Sequence, residues 1–240
     1  MPFLEYISDE NLIKEVKYLL DKAVEKRQDA ENSFSKNVID PFGALFEASD
    51  FKSHEEWRNS EMARQCQKTI QNHVGTFHQK ILGYVDGWED LGTGGIVDLI
   101  NREQKIIAES KNKYNTVTGG NLAAMYISLD AQVSPKNSQF KGYKAYFVNI
   151  IPKKPERFDI PFVPSNKETG ARCSENPLIR SIDGASFYHI VTGRFDALKE
   201  LHEALPKVIE AVYHQYYGQR DFIIPDVELF KSYFSEAYGK

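Results

Sequence analysis

Two carboxylates and a lysine have the types and spacing for chemistry on a phosphate. Asp98 lies in the apolar run Ile96-Val97-Asp98-Leu99-Ile100, and Glu109-Ser110-Lys111 ends a second run, Ile106-Ile107-Ala108. A Glu-x-Lys tripeptide is cheap, and this chain repeats it at Glu15-Val16-Lys17 and Glu103-Gln104-Lys105. The first of these falls on the exposed face of an expected helix and the second in an expected turn; only Glu109-Ser110-Lys111 terminates a β-branched segment. If Glu103 and Gln104 are the central turn residues, Ile100 faces Ile107 and Asp98 faces Glu109. Opposed residues lie about 4.5–5.5 Å apart at Cβ, and the period of two puts Lys111 on the same face as Glu109. Two opposed carboxylates repel unless a cation sits between them, and Mg²⁺ is a hard ion held by one or two carboxylates plus water and phosphate oxygens. The neighbouring lysine is then placed to orient or deprotonate a water, or to neutralise charge on phosphate. The alternative is a surface hairpin whose acids and lysine form a salt bridge, and a longer turn would shift the register.

The elements that must hold this hairpin are legible in outline. A charged amphipathic helix is expected over 9–32, from Leu12, Val16, Leu19 and Leu20. Pro41-Phe42-Gly43 reads as a turn before a short apolar segment at Leu45 and Phe46. Ser53 with Glu56 forms a capping-box pattern that opens a long helix. Its expected buried stripe is Ala63, Cys66, Ile70, Val74, Phe77 and Ile81, and its polar face carries Glu61, Arg64, Gln67 and Lys68. Strands are expected at Ile96–Ile100, Lys105–Ser110, Tyr143–Ile151 and Ser186–Val191, with helices at Asn121–Leu129 and at Phe195–Tyr217, the last interrupted near Pro206. The span 152–178 holds five of the ten prolines and reads as irregular and exposed. The whole is an α/β (α+β) chain, expected to be one domain over 1–240, with an N-terminal helical segment (1–52), a core (53–217) and an aromatic-rich tail (218–240).

Composition excludes several classes. Hydrophobic residues make up 41% and charged residues 27% of the 240, too apolar for disorder. No apolar run reaches the roughly 18–20 residues of a membrane helix. MPFLEYISDEN has neither the basic region nor the apolar stretch of a leader, which predicts a cytoplasmic protein. Cys66 and Cys173 are too few for a disulfide framework or a four-cysteine zinc site and are expected to be buried thiols. The formal charge of −4 is unevenly spread: −6 over 1–63, +1 over 64–120, +4 over 121–180 and −3 over 181–240. A basic middle between acidic flanks is compatible with one cleft that binds nucleic acid, and equally with a solvated surface.

Weaker signals add little. Gly92-Thr93-Gly94-Gly95 precedes a strand and no Gly-Lys-Ser/Thr follows, so it reads as a loop rather than a phosphate cradle. His73 and His78 are five apart on the long helix, without a His-Glu-x-x-His pattern, and read as surface or partner-contacting residues. No Gly-x-Ser-x-Gly elbow is present. No glycine-rich loop follows a strand and opens a helix, which disfavours a methyltransferase. Lys153, Lys154, Arg157, Lys167, Arg172 and Arg180 suit guanine and phosphate contacts, though an exposed proline-rich loop needs such residues for solubility too.

Asp98 with Glu109-Ser110-Lys111 resembles the PD-(D/E)xK nuclease signature, with Val97 where a proline often precedes the first acid. Three longer segments, GWEDLGTGGIVDLINREQKIIAESKNKYNT, RQCQKTIQNHVGTFHQKILG and IRSIDGASFYHIVTG, are similar to the type II restriction endonucleases that cut GGWCC or GGNCC sites, the SinI/AvaII type. The resemblance spans about 40–215. It implies a restriction-endonuclease-like core, a central mixed sheet flanked by helices, and Mg²⁺-dependent hydrolysis of double-stranded DNA (Mn²⁺ substituting) that leaves 5′ overhangs. It also implies a homodimer and a companion DNA methyltransferase acting on the same site without contact. Carried over, Asp98 and Glu109 become metal ligands, the Ser110 carbonyl another, and Lys111 the water-orienting residue. A helix beside the sheet often adds a carboxylate, for which Glu61 is the candidate. Base and phosphate contacts fall to Arg172 and Arg180 first, then Lys113, Asn115, Lys167, Arg64 and Lys68. The rival readings are another nuclease of the superfamily, for repair or for a particular DNA structure, and a non-catalytic DNA-binding protein with this fold.

Overall fold

In a computed structural model, which describes residues 1–92, 97–166 and 170–239 and leaves aside the side chains of Gly119 and Gly120, six strands form one mixed sheet. These are β1 (Glu89–Asp90), β2 (Leu99–Asn101), β3 (Ile106–Lys113), β4 (Lys144–Ile151), β5 (Asp159–Pro161) and β6 (Ile179–Asp183), in the spatial order β1-β2-β3-β4-β6-β5. The central strands β3, β4 and β6 are parallel, and the edges are antiparallel. β4 is buried from Ala145 to Ile150, as a strand covered on both faces must be.

Alternation along the strands makes two cores. One face presents Leu99, Ala108, Tyr146, Val148, Ile150 and Ile182 to α1 (Asp9–Gln28), α4 (His54–Gly83), α6 (Gly184–Thr192) and α7 (Ala197–Tyr216). The other presents Ile100, Ile107, Ala145, Phe147 and Ile179 to α5 (Gly119–Val133), through Tyr126, Leu129 and Val133, with Phe140 and Phe162. At the end of α4, Gly83 lets the helix meet β1: a side-chain carbon there would lie 2.6 Å from Asp90 Cβ. The helix C-terminus is thereby set against the β1–β2 edge.

Several local expectations change. The helix expected over 9–32 breaks at Asp29, whose carboxylate accepts from Asn32 Nδ2 and Ser33 Oγ and draws that turn out of α1; α2 (Ala30–Lys36) follows. The Pro-Phe-Gly turn is instead the first turn of α3 (Pro41–Ala48), with proline at its start and Asp40 accepting from Phe42 N. Ser53 caps α4 as expected, but the Glu56 carboxylate reaches back to Lys52 N. On α4, Cys66, Phe77 and Ile81 are buried, Ile70 and Val74 half-buried and Ala63 exposed; Glu61, assigned to the polar face, is buried. Ser186–Val191 is helix α6 and not a strand, because Asp183 caps it through Ser186 N at 2.9 Å and the left-handed Gly193 closes it. α7 runs through Pro206 without interruption, and the aromatic tail holds α8 (Val227–Tyr238). Within 152–178, β5 joins the sheet edge and Phe162 is buried. Cys66 is buried, whereas Cys173 is only half-buried. Ile96, the stretch Thr93-Gly94-Gly95 and Lys167 lie outside the described residues. No helix among the described residues is long and apolar enough to cross a membrane.

Candidate active site

The hairpin has the expected register. Ile100 pairs with Ile107 and Leu99 with Ala108, and Asp98 N donates to the Ala108 carbonyl at 3.0 Å. Asn101 belongs to β2, so the turn is Arg102–Lys105; Asn101 Oδ1 accepts from Gln104 N at 2.8 Å, and Lys105 takes a left-handed φ of 55° to complete it. Because β2 ends its ladder at Leu99, Asp98 is free to turn its carboxylate along β3, where Oδ2 accepts from Ser110 N at 2.8 Å. Lys111 Nζ meets Glu109 Oε1 at 2.7 Å on the α5 face. The structure thus brings Asp98, Glu109, Ser110 and Lys111 together at the carboxyl end of β3, where open α/β sheets place their ligands.

Lys111 is taken by Glu109, which leaves Asp98 as the carboxylate without an ion-pair partner of its own. Burial first, and then the charge of Glu109, push the Asp98 carboxyl up to about 6; the Ser110 N–H and Lys111 pull it down, and Asp90 adds to the rise. Asp90 comes from β1 and is held by Lys80 of α4 at 2.6 Å. Sequence reasoning did not single out Asp90 or Lys80; the pairing of Asp90 with Leu99 across the β1–β2 edge is what puts them there.

A divalent cation fits this donor set. Two half-buried carboxylates lie close enough for Glu109 to raise the Asp98 proton affinity, and backbone, water and phosphate oxygens can complete a hard ion's shell. Among the described residues no group of three His, Cys, Asp or Glu is placed to hold a metal, so an ion here depends on non-carboxylate oxygens as well.

Glu61 is not brought to this site. It sits early on α4, whereas α4 touches β3 at Gly75 beside Asn112, about 21 Å further along the helix axis. Its carboxylate accepts from Arg64 Nε and Nη2 at 2.5 and 2.6 Å and from Gln65 Nε2 at 2.9 Å. The Arg64 hydrogen bond, above all, holds its pKa below the usual range, the reverse of Asp98. Glu61, Arg64 and Lys68 instead line a separate cavity of about 500 Å³ against α3. Arg180 is also apart: it pairs in register with Tyr146 of the helix-rich face and is bound to the Asp159 carboxylate and, through Nη2, to the Asp159 carbonyl. Arg172 is exposed on the loop after β5, bridged to Ser165. Lys113 and Asn115 are exposed just past Lys111.

His78, expected at the surface or on a partner, is half-buried and contacts α6 of its own chain. Its Nδ1 lies 2.8 Å from Tyr188 Oη, and burial lowers its pKa to about 4. His73 contacts Tyr18 edge-on, on the outer side of α4.

Comparison with known proteins identifies the family. The family model described as "Eco47II restriction endonuclease" matches residues 4–214. The type II restriction enzyme Eco47II of Escherichia coli is 66% identical over 239 residues, covering all of both chains. The type II restriction enzyme Sau96I of Staphylococcus aureus is 30% identical over 214 residues, 87% of this chain and 80% of that one. With a mixed sheet flanked by helices and full-length similarity to a type II restriction enzyme, the chain belongs to the Eco47II restriction endonuclease family and is an endonuclease.

Proposed function

We propose that this endonuclease is a Mg²⁺-dependent enzyme that hydrolyses double-stranded DNA within a short GGNCC or GGWCC-like site, and that Asp98, Glu109 and Lys111 form its active site. The observation that carries the reading is the hairpin: two opposed carboxylates and a lysine at one sheet end, with Asp98 left proton-hungry by burial and by Glu109.

Asp98, Glu109 and the Ser110 carbonyl would hold the cation, which supplies positive charge against the phosphate and a more acidic water. Asp98 is kept in place by Ser110 N, so its carboxylate arrives pre-oriented. Lys111 carries its ammonium beside the same phosphate, where it orients the attacking water and offsets charge developing as one ester bond breaks. Lys113 and Asn115 sit next to it for the sugar–phosphate backbone, and Arg172 on its exposed loop is the first choice for reading guanine O6 and N7.

A two-fold symmetric target calls for two active sites, hence a homodimer with one hairpin per strand. Cutting after the first G leaves a three-base 5′ overhang, and the companion methyltransferase protects the same site without touching this chain. The test is incubation of the purified protein with unmethylated plasmid of known sequence, with Mg²⁺ and with EDTA, followed by sequencing of the ends. Discrete Mg²⁺-dependent ends at GGWCC or GGNCC are expected. Ends at another discrete sequence overturn the specificity, and scattered ends or intact plasmid overturn the reading as a whole.

A further inference from the structure

Asn149 is out of character with β4. Val148 and Ile150 on either side of it are fully buried apolar residues of the helix-rich face. Asn149 points the other way, in register with Lys111 of β3. It is 7% exposed, and its Oδ1 is buried without a hydrogen-bond partner among the described residues. Its Nδ2 reaches only Ser181 Oγ of β6, at 3.5 Å. A buried amide oxygen left unpaired is costly, so an asparagine in the middle of an apolar strand needs something to accept.

The donor stands on the next strand. Neighbouring strands run about 4.8 Å apart, which makes Lys111 and Asn149 neighbours on one face. A lysine ammonium has three protons to give, and one of those on Lys111 goes to Glu109 Oε1 at 2.7 Å. We propose that Asn149 is a positioning residue for Lys111: its Oδ1 accepts from the ammonium once the Glu109 carboxylate turns to a divalent cation. Lys111 is thereby kept aimed at the scissile phosphate and is not drawn along with Glu109. Ser181 holds the amide from its nitrogen side, which leaves oxygen and not nitrogen toward the positive charge. Asp98, just before β2, and Glu109, Lys111, Asn149 and Ser181 of β3, β4 and β6 then form one polar cluster. The inference rests on the proposed role of Lys111 and adds a residue to it.

The experiment compares Asn149→Leu, which keeps the volume and removes the acceptor, with Asn149→Ala and Asn149→Asp. Each is measured for single-turnover cleavage with Mg²⁺, for DNA Kd with Ca²⁺ in place of Mg²⁺, and for metal-free melting temperature. Loss of the support around an active group typically costs about 10–100-fold in activity, and that loss is expected for Asn149→Leu and Asn149→Ala. DNA Kd should stay within about threefold. The melting temperature should hold or rise for Asn149→Leu, because an unpaired polar atom has gone. Asn149→Asp should recover most of the rate. In a Lys111→Ala background Asn149→Leu should cost nothing further, since residues acting as a unit are not additive. Equal losses in both backgrounds, or a fall in melting temperature that tracks the lost activity in Leu and Ala alike, would overturn the assignment and leave Asn149 a structural residue. Wild-type cleavage by Lys111→Ala would instead overturn the active site itself, so the two failures are distinguishable.

Discussion

On the helix-rich face, Ala108, Tyr146, Val148, Ile150 and Ile182 lie beneath α4, α6 and α7, joined there by Phe187 and Tyr188. On the opposite face α5 covers Ile107, Ala145, Phe147 and Ile179, but beyond them the same strands carry Glu109, Lys111 and Asn149. Alternate residues of single strands therefore differ in kind: one set secures the sheet and the other gathers polar side chains at its carboxyl end. The comparison extends to the acids. Glu61 is neutralised by Arg64 and held low, whereas Asp98 has a like charge opposite and is pushed up to about 6. The difference separates a carboxylate that has its counter-charge from one that waits for it.

Substitutions on the two faces should separate activity from stability. Asp98→Ala and Lys111→Ala are expected to slow cleavage by at least about 10³-fold, the scale of losing charge stabilisation at a reacting phosphate. Metal-free melting temperatures should hold, and Asp98→Asn should raise them at pH 7 by relieving the repulsion from Glu109. Specific binding with Ca²⁺ should largely survive in the lysine variant. A cleavage rate in Asp98→Ala equal to wild type removes this active site. Phe187→Ala should do the reverse: Phe187 is fully buried against Trp88 and Tyr146, so about 3–5 kcal/mol of stability is lost, read by urea unfolding. Cleavage per folded molecule should be retained.

The hairpin was legible because a short turn fixes register by arithmetic, and the pairing of Ile100 with Ile107 depends on nothing distant. α6 was misread because Phe187, Tyr188, Ile190 and Val191 form an apolar run that periodicity cannot assign to strand or helix; Asp183 at one end and Gly193 at the other decide it. Glu61 was placed on a polar face by its charge, but α2 and α3 fold over that part of α4 and bury it. Asn149 carried no sequence signal at all. Its place beside Lys111 exists only through the β3–β4 pairing, which joins segments separated by the whole of α5.

The two faces should also differ in the sign of their pH dependence. His78 is half-buried beside Tyr188, with its pKa lowered to about 4 from an ordinary 6.5 by desolvation of the ring. A histidine whose folded pKa is depressed supports the fold fully above 6.5, because the unfolded chain takes up the proton first. The His78 contribution should therefore be lost as pH drops from 6.5 toward 4, by about 3 kcal/mol at 1.36 kcal/mol per pKa unit. Asp98, raised to about 6, instead favours the fold increasingly as pH falls below 6. His78→Gln should take away the falling component and leave stability rising as pH drops through 6, and an unchanged slope in the variant would remove His78 as a source.

The smallest effects should come from the two arginines, and they sharpen the contrast between faces most directly. Arg180 is tied to Asp159 on the helix-rich side, where a partly exposed ion pair is worth at most about 1 kcal/mol. Arg180→Ala should accordingly shift stability slightly and leave sequence preference alone. Arg172 is exposed beyond β5, and if it reads a guanine, Arg172→Ala should cost about 1–3 kcal/mol of preference for the cognate site over non-cognate DNA. The check is a pair of Kd values for each variant, on cognate and scrambled duplexes at one salt concentration. Uniform weakening in Arg172→Ala makes it a phosphate contact, and loss of preference in Arg180→Ala would mean that Asp159 releases that side chain to the DNA.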